Sequence, residues 1–198
     1  MDRLPPFDDL NKLREELDGI FAEGPDERTR KKPYIIDEIL DLLIMDYMFG
    51  NESANEMLYG NTDTEDGEVN RTIQIRIEDM NDAVYRNIAG RNWEQRISEY
   101  MDSGTVDDII RVVDTDMTRV YNDAILDVGE KSDGPVMKTW QTMEDDRVRL
   151  GHEVLDGVTI PIDSRFWTIG GDSARYPGDF TSPELNINCR CRLYLSKA

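Results

Sequence analysis

At 198 residues, 38% hydrophobic and 33% charged, the chain is long enough to bury a core without disulfide staples. Its formal net charge of −19 argues against direct binding to a phosphate backbone. The longest apolar stretch, Ile35 to Met48, is broken by Asp37, Glu38, Asp41 and Asp46, which excludes a membrane-spanning helix there.

The N-terminus, Met1-Asp2-Arg3-Leu4-Pro5-Pro6, lacks the apolar centre of a signal peptide, so synthesis and retention in the cytoplasm, or in a particle assembled there, are expected. The charge is unevenly spread. From Pro135 onward there are eight basic and nine acidic residues, net −1, against fifteen basic and thirty-three acidic in residues 1–134, net −18. Such an acidic half is either an ordinary solvated helical surface or a face that docks a basic partner. DNA is not expected as its direct ligand.

In chain order, Leu10, Leu13, Leu17 and Phe21 recur at helical spacing and predict a helix over Phe7–Phe21. Gly24-Pro25-Asp26 breaks it, and the basic run Arg28–Lys32 follows. Pro33 then suits the first turn of a second, largely buried helix reaching about Phe49, with Gly50-Asn51 as its stop signal. Residues 60–69 carry little that could anchor them and predict a mobile loop. Ile73, Ile77, Met80, Val84 and Ile88 predict a helix closed by Ala89-Gly90. The clearest helix spans Val106–Val128, where Thr105 and Asp108 resemble a capping box.

Ser132-Asp133-Gly134-Pro135 is the one strong break, and it coincides with the charge shift. The boundary is placed there, giving an acidic helical region over 1–134 and a small lobe over 135–198. Within the lobe, strands are expected at Val136–Met143, Val158–Ile162, Arg165–Ile169 and Cys189–Leu195, with a short helix at Asp145–Leu155. The fold class is therefore α+β: a helical N-terminal region followed by a C-terminal lobe of a few strands and a short helix.

Chemistry-bearing residues are sparse. Asp145, Val148, His152 and Leu155 fall on one stripe of the predicted short helix, which turns His152, the sole histidine, toward the lobe's interior. On the last strand Ile187, Cys189, Cys191, Leu193 and Leu195 share one face, and Asn188, Arg190 and Arg192 the other. A disulfide within Cys-x-Cys is disfavoured, because two strand rises approach the upper span of the bond.

Three readings of His152, Cys189 and Cys191 are open. They are core residues, with the thiols acting as small hydrophobes; or soft ligands of a metal such as zinc, with Asp145, Asp146 or water in fourth place; or a thiol nucleophile with its base. The core reading, with no cofactor, is adopted. Arg147 and Arg149 beside Asp145 and Asp146 are read as ion-pair partners. Pro177-Gly178-Asp179 reads as a tight turn. Phosphate-binding glycine loops and the H-E-x-x-H motif do not occur in the sequence.

Taken in order, Trp140, Asp146, Arg147, Arg149, His152, Gly157, Phe166, Pro177-Gly178-Asp179 and Asn188-Cys189-Arg190-Cys191 resemble the C-terminal signature of the phage Mu F-like head morphogenesis family, the minor capsid proteins of tailed phages. Upstream, Thr115, Asp116 and Tyr121-Asn122 stand where the family has an R-T-E-like segment and a Tyr-Asn pair, while Asp114 departs from the expected Arg. The resemblance covers about residues 105–195.

It implies a minor head protein of the virion, and the lack of a phosphate-binding loop, a complete metal set or an accessible nucleophile sets the expectation that it is not an enzyme. Such a protein is assembled in the host cytoplasm and docks to the portal protein, or to another capsid or scaffold protein, during procapsid assembly, with no membrane partner. Many relatives carry a further C-terminal toxin or enzymatic domain; none is expected seven residues beyond Cys191. The alternative is a small metal- or thiol-dependent enzyme, or a degenerate transferase-like domain, in the C-terminal lobe.

Overall fold

The computed structural model describes residues 7–60 and 73–198, and the loop expected over 60–69 lies almost wholly outside them. Among the described residues of the N-terminal part there are five helices: α1 (Phe7–Glu23), α2 (Pro25–Tyr59), α3 (Ile77–Val84), α4 (Trp93–Ser103) and α5 (Val106–Lys131). Helices α2 and α5 pack along one another as the spine, and α1, α3 and α4 lean on both. Leu13 and Leu17 of α1, Ile35, Ile39 and Leu43 of α2, Trp93 and Ile97 of α4, and Ile109, Val113 and Val120 of α5 meet in one core. Each fully buried aliphatic side chain of this kind contributes roughly 1.5–3 kcal/mol.

The second helix departs most from expectation. It starts at Pro25, whose fixed φ and missing N–H suit a first turn, so Pro33 lies inside the helix rather than opening it. The lost hydrogen bond costs about 3 kcal/mol, which the buried face of Ile35, Ile39, Leu42, Leu43 and Tyr47 offsets. Nor does Gly50-Asn51 end it. Gly50 lies where a Cβ would collide with the Tyr121 carbonyl oxygen of α5, so glycine here permits close helix contact, and the helix runs on to Tyr59.

The helix expected across Ile73–Ile88 is shortened to α3. Ala89 (φ 52°) and Gly90 (φ 84°) turn the chain beyond it, and Ile88 bridges Arg91. Helix α4 was not anticipated, although Asn92 and Gln95 form a reciprocal capping box and Trp93, Ile97 and Met101 are its buried stripe. Helix α5 is capped by Thr105 as expected, with the Asp108 amide donating to Thr105 Oγ1 at 3.2 Å and the Thr105 amide to Asp108 Oδ2 at 3.1 Å.

The chain then becomes strand-rich, with β1 (Val136–Gln141), α6 (Leu150–Glu153), β2 (Thr159–Pro161), β3 (Phe166–Trp167), β4 (Ser173–Ala174), α7 (Pro183–Asn186) and β5 (Arg192–Lys197). An antiparallel sheet runs β2-β1-β5, with Trp140 opposite Leu193 and Thr139 opposite Thr159. The fold is α+β.

Every expected element of this part exists but is shorter. The helix expected at Asp145–Leu155 is a turn followed by α6. Here the Asp145 carboxylate accepts from the Arg147 amide at 3.1 Å and pairs with Arg190, and such local side-chain bonds compete with helix. Asp145 is accordingly exposed, not on the interior stripe. The last strand begins at Arg192, after both cysteines, yet Cys189, Cys191, Leu193 and Leu195 are buried in alternation as expected. Ile187 leaves that face because Asn188 turns the chain at φ 54°. A second core joins these strands to Ala54 and Leu58 of α2 and to Tyr121, Ile125 and Val128 of α5.

Candidate functional site

Trp140 is the centre of the C-terminal lobe. Its position on the middle strand, facing inward with Val136 and Lys138, places the indole at the focus of three rings: His152 (centroids 5.5 Å, edge-on), Phe166 (5.2 Å, edge-on) and Phe180 (5.5 Å). The His152 ring also stacks on Phe180 at 5.5 Å. Gly157, at φ 68°, turns the chain after α6, and its amide donates to the Trp140 carbonyl at 2.9 Å. Positive φ at that turn favours glycine. The Asp156 carboxylate holds the other side, accepting from the Thr142 amide at 2.7 Å and hydroxyl at 2.9 Å.

Against this aromatic wall the structure brings together the three residues singled out for soft-ligand or nucleophile chemistry. His152 Nδ1 lies 3.7 Å from Cys189 Sγ and 3.4 Å from Cys191 Sγ, and all three side chains are buried, at 1%, 1% and 4% exposure. A hydrogen bond from Cys191 draws the Cys189 thiol below its ordinary value against the opposing effect of burial. Cys191 shifts upward in return, through that same bond and burial. The pair thus resists losing both protons while it stands alone. Arg149 steadies the approach to the cysteines by donating to the Ile187 carbonyl, and Arg190 grips Asp145 through both terminal guanidinium nitrogens at 2.8 and 2.7 Å. Asp146 and Arg147 are exposed.

The upstream motif residues sit on α5 beneath this centre. Asn122 is fully buried; its Oδ1 accepts from the Leu193 amide at 2.8 Å, and its Nδ2 donates to the Cys191 carbonyl at 3.2 Å. Thr115 Oγ1 accepts from the Asn188 amide at 3.3 Å. Tyr121 packs on Phe49 at 5.9 Å. Asp116, also fully buried, holds two guanidinium groups, Arg96 and Arg119, and Arg119 passes on to the Ala83 carbonyl at 2.7 Å. Asp114, which departs from the family's Arg, is partly buried. Its carboxyl is raised by burial and lowered by Arg147 and Arg190.

The Pro177-Gly178-Asp179 turn presses onto α5 as well. Gly178 has φ 102°, and a Cβ there would lie 3.0 Å from Arg119 Cα. Asp179 accepts from the Arg175 amide at 2.9 Å and pairs with Arg86 at 3.1 Å and Arg165 at 3.4 Å.

The motif set therefore forms two connected groups, an aromatic and thiol centre around Trp140 and a polar seam along α5. Sequence reasoning missed Arg86, Arg96, Arg119 and Phe180. Of these only Arg119, three residues after Asp116 on the same helix, left a spacing signal.

The family described as Phage Mu protein F like protein matches residues 66–194, which takes in α3 and α4 as well as the motif set. The minor head protein GP7 of Bacillus phage SPP1 is 38% identical over 58 residues, 29% of this chain and 19% of that protein. The matched segment is thus less than a fifth of the relative's length. No solved structure matches the chain. With well over half of its residues aligned to that family and the motif residues gathered around one strand and one helix, the chain belongs to the Phage Mu protein F like family.

Proposed function

We propose that the protein is a minor head component of a tailed bacteriophage, acting in head morphogenesis and docking at the portal vertex as the procapsid assembles. The observation that carries this reading is the family match over residues 66–194. The partial relative in Bacillus phage SPP1, itself named a minor head protein, agrees with it. Burial of both thiols opposes a nucleophilic enzyme, since a substrate would have no direct approach to sulfur.

The docking surface belongs to the acidic helical part. Along the outer side of α2, Tyr34, Asp37, Asp41, Met45, Met48 and Glu52 follow at three- and four-residue steps, and all are exposed. Residues at those steps lie on one helix face. A face mixing carboxylates with a tyrosine and two flexible methionines suits a protein surface bearing basic groups around an apolar centre. It does not suit nucleic acid.

Co-expression with the portal protein of the same phage, followed by sedimentation, tests the docking. The complex is expected at low salt, weakening as ionic strength rises because screening beyond about 8 Å is already strong at 0.15 M. Asp37→Lys with Asp41→Lys should weaken it further. Absence of co-sedimentation at every ionic strength would contradict the portal assignment.

A further inference from the structure

His152, Cys189 and Cys191 converge on one point. Among the described residues they are the one such group of His, Cys, Asp or Glu, with ligand atoms all within 4.8 Å of one another. The two sulfurs are also the only polar contacts of the His152 ring among those residues, and its Nε2 is buried without a partner.

Hydrogen bonding alone does not account for that triangle. A neutral imidazole presents at Nδ1 either one N–H or one lone pair, so it can bond well to one sulfur, whereas two stand at nearly equal range. The distances have another meaning. In a tetrahedral centre with Zn–S about 2.3 Å and Zn–N about 2.0–2.1 Å, sulfur and nitrogen are separated by about 3.6 Å. The observed separations of 3.4 and 3.7 Å bracket that value.

We propose that His152 Nδ1, Cys189 Sγ and Cys191 Sγ bind one zinc ion, with water in the fourth position. Charge balance favours the ion, since two thiolates and Zn²⁺ sum to zero. A neutral centre suits a site walled by Trp140 and Phe180, where a net charge would be costly to bury. Asp145 does not complete the set, because Arg190 holds both of its carboxylate oxygens.

Such an ion would tie α6 to the segment entering β5, elements thirty-seven residues apart at His152 and Cys189. Its role would be that of a staple in a lobe whose strands are two to six residues long. The two cysteines share the buried side of their segment because alternate residues of an extended chain face the same way, so Cys-x-Cys can present both sulfurs to one ion. Binding releases the two thiol protons to solvent.

The test uses the full chain, purified reduced and without chelator. Elemental analysis should find about one zinc per chain, bound through folding-coupled ligands. Cobalt added to metal-free protein should give a near-ultraviolet thiolate-to-cobalt charge-transfer band, and chelator should lower the thermal midpoint of the wild type. Cys189→Ser and His152→Gln should lose zinc affinity by tenfold or more and lose the response to chelator. Variants that fold and keep wild-type zinc occupancy would overturn the proposal. So would a wild-type chain that, given zinc in reducing buffer, retains none after desalting and melts at the same temperature with and without chelator. That second result is decisive even if neither variant folds.

Discussion

The side chain of Asn122 stands in for a neighbouring strand beside Leu193. It accepts from the Leu193 amide at 2.8 Å and donates to the Cys191 carbonyl at 3.2 Å, on the edge of β5 that faces away from β1. One carboxamide thus offers the acceptor and donor that a peptide group would supply, and the open edge of the sheet is closed by a helix. Asn122→Leu should destabilise the protein by about 3 kcal/mol, since two buried backbone groups lose their partners at roughly 1–3 kcal/mol each. Urea unfolding checks this; a change under about 0.5 kcal/mol, the range of ordinary surface substitutions, would contradict it.

Two glycines separate packing from propensity. Gly50→Ala should cost about 1–3 kcal/mol, the usual range for overpacking, because the new methyl meets the Tyr121 backbone. Gly19→Ala, in α1 with open space around it, should instead stabilise by up to about 1 kcal/mol through helix propensity. Equal effects of the two substitutions on the urea midpoint would refute this account of the α2–α5 contact.

A pH dependence follows from Asp46. Burial, aided by the charge of Asp114, raises its carboxyl from 3.8 to about 8. Below the unfolded value both states are protonated and Asp46 contributes no penalty. As pH climbs from about 4 toward about 8 the unfolded chain ionises first, so the native state loses stability through that window. Asp46→Asn should therefore raise the melting midpoint at pH 8 and leave it nearly unchanged at pH 4. A gain of the same size at both would show that the effect is not titration.

Burial of the thiols sets a further expectation. In the folded chain Cys189 and Cys191 should react with a thiol reagent far more slowly than in urea, and Cys191→Glu should destabilise by several kcal/mol by burying an unpaired charge. Labelling as fast in native as in denatured protein would contradict the buried centre.

These tests also mark how far the sequence could be read. Periodicity located α1 and α5 because each buries one continuous stripe, and alternation placed Cys189, Cys191, Leu193 and Leu195 on one buried side before any strand was seen. Breakers misled in α2, because Pro33 and Gly50 have ordinary meanings as start and stop signals that tertiary packing overrides. In the C-terminal lobe the strands are too short for period to fix their ends, and side-chain bonds such as Asp145–Arg190 displace helix. Of the site, His152 facing inward beside the thiols was legible from spacing. The Arg96–Asp116 pair and the Phe180 stack on His152 were not, since they join residues distant in sequence.

Procapsid composition tests the proposed place of the chain at the portal vertex. Procapsids purified from cells producing the phage should contain the chain in few copies, as quantified by mass spectrometry. Procapsids made without the portal protein should lack it. Absence of the chain from portal-containing procapsids, or undiminished incorporation without the portal, would contradict the account.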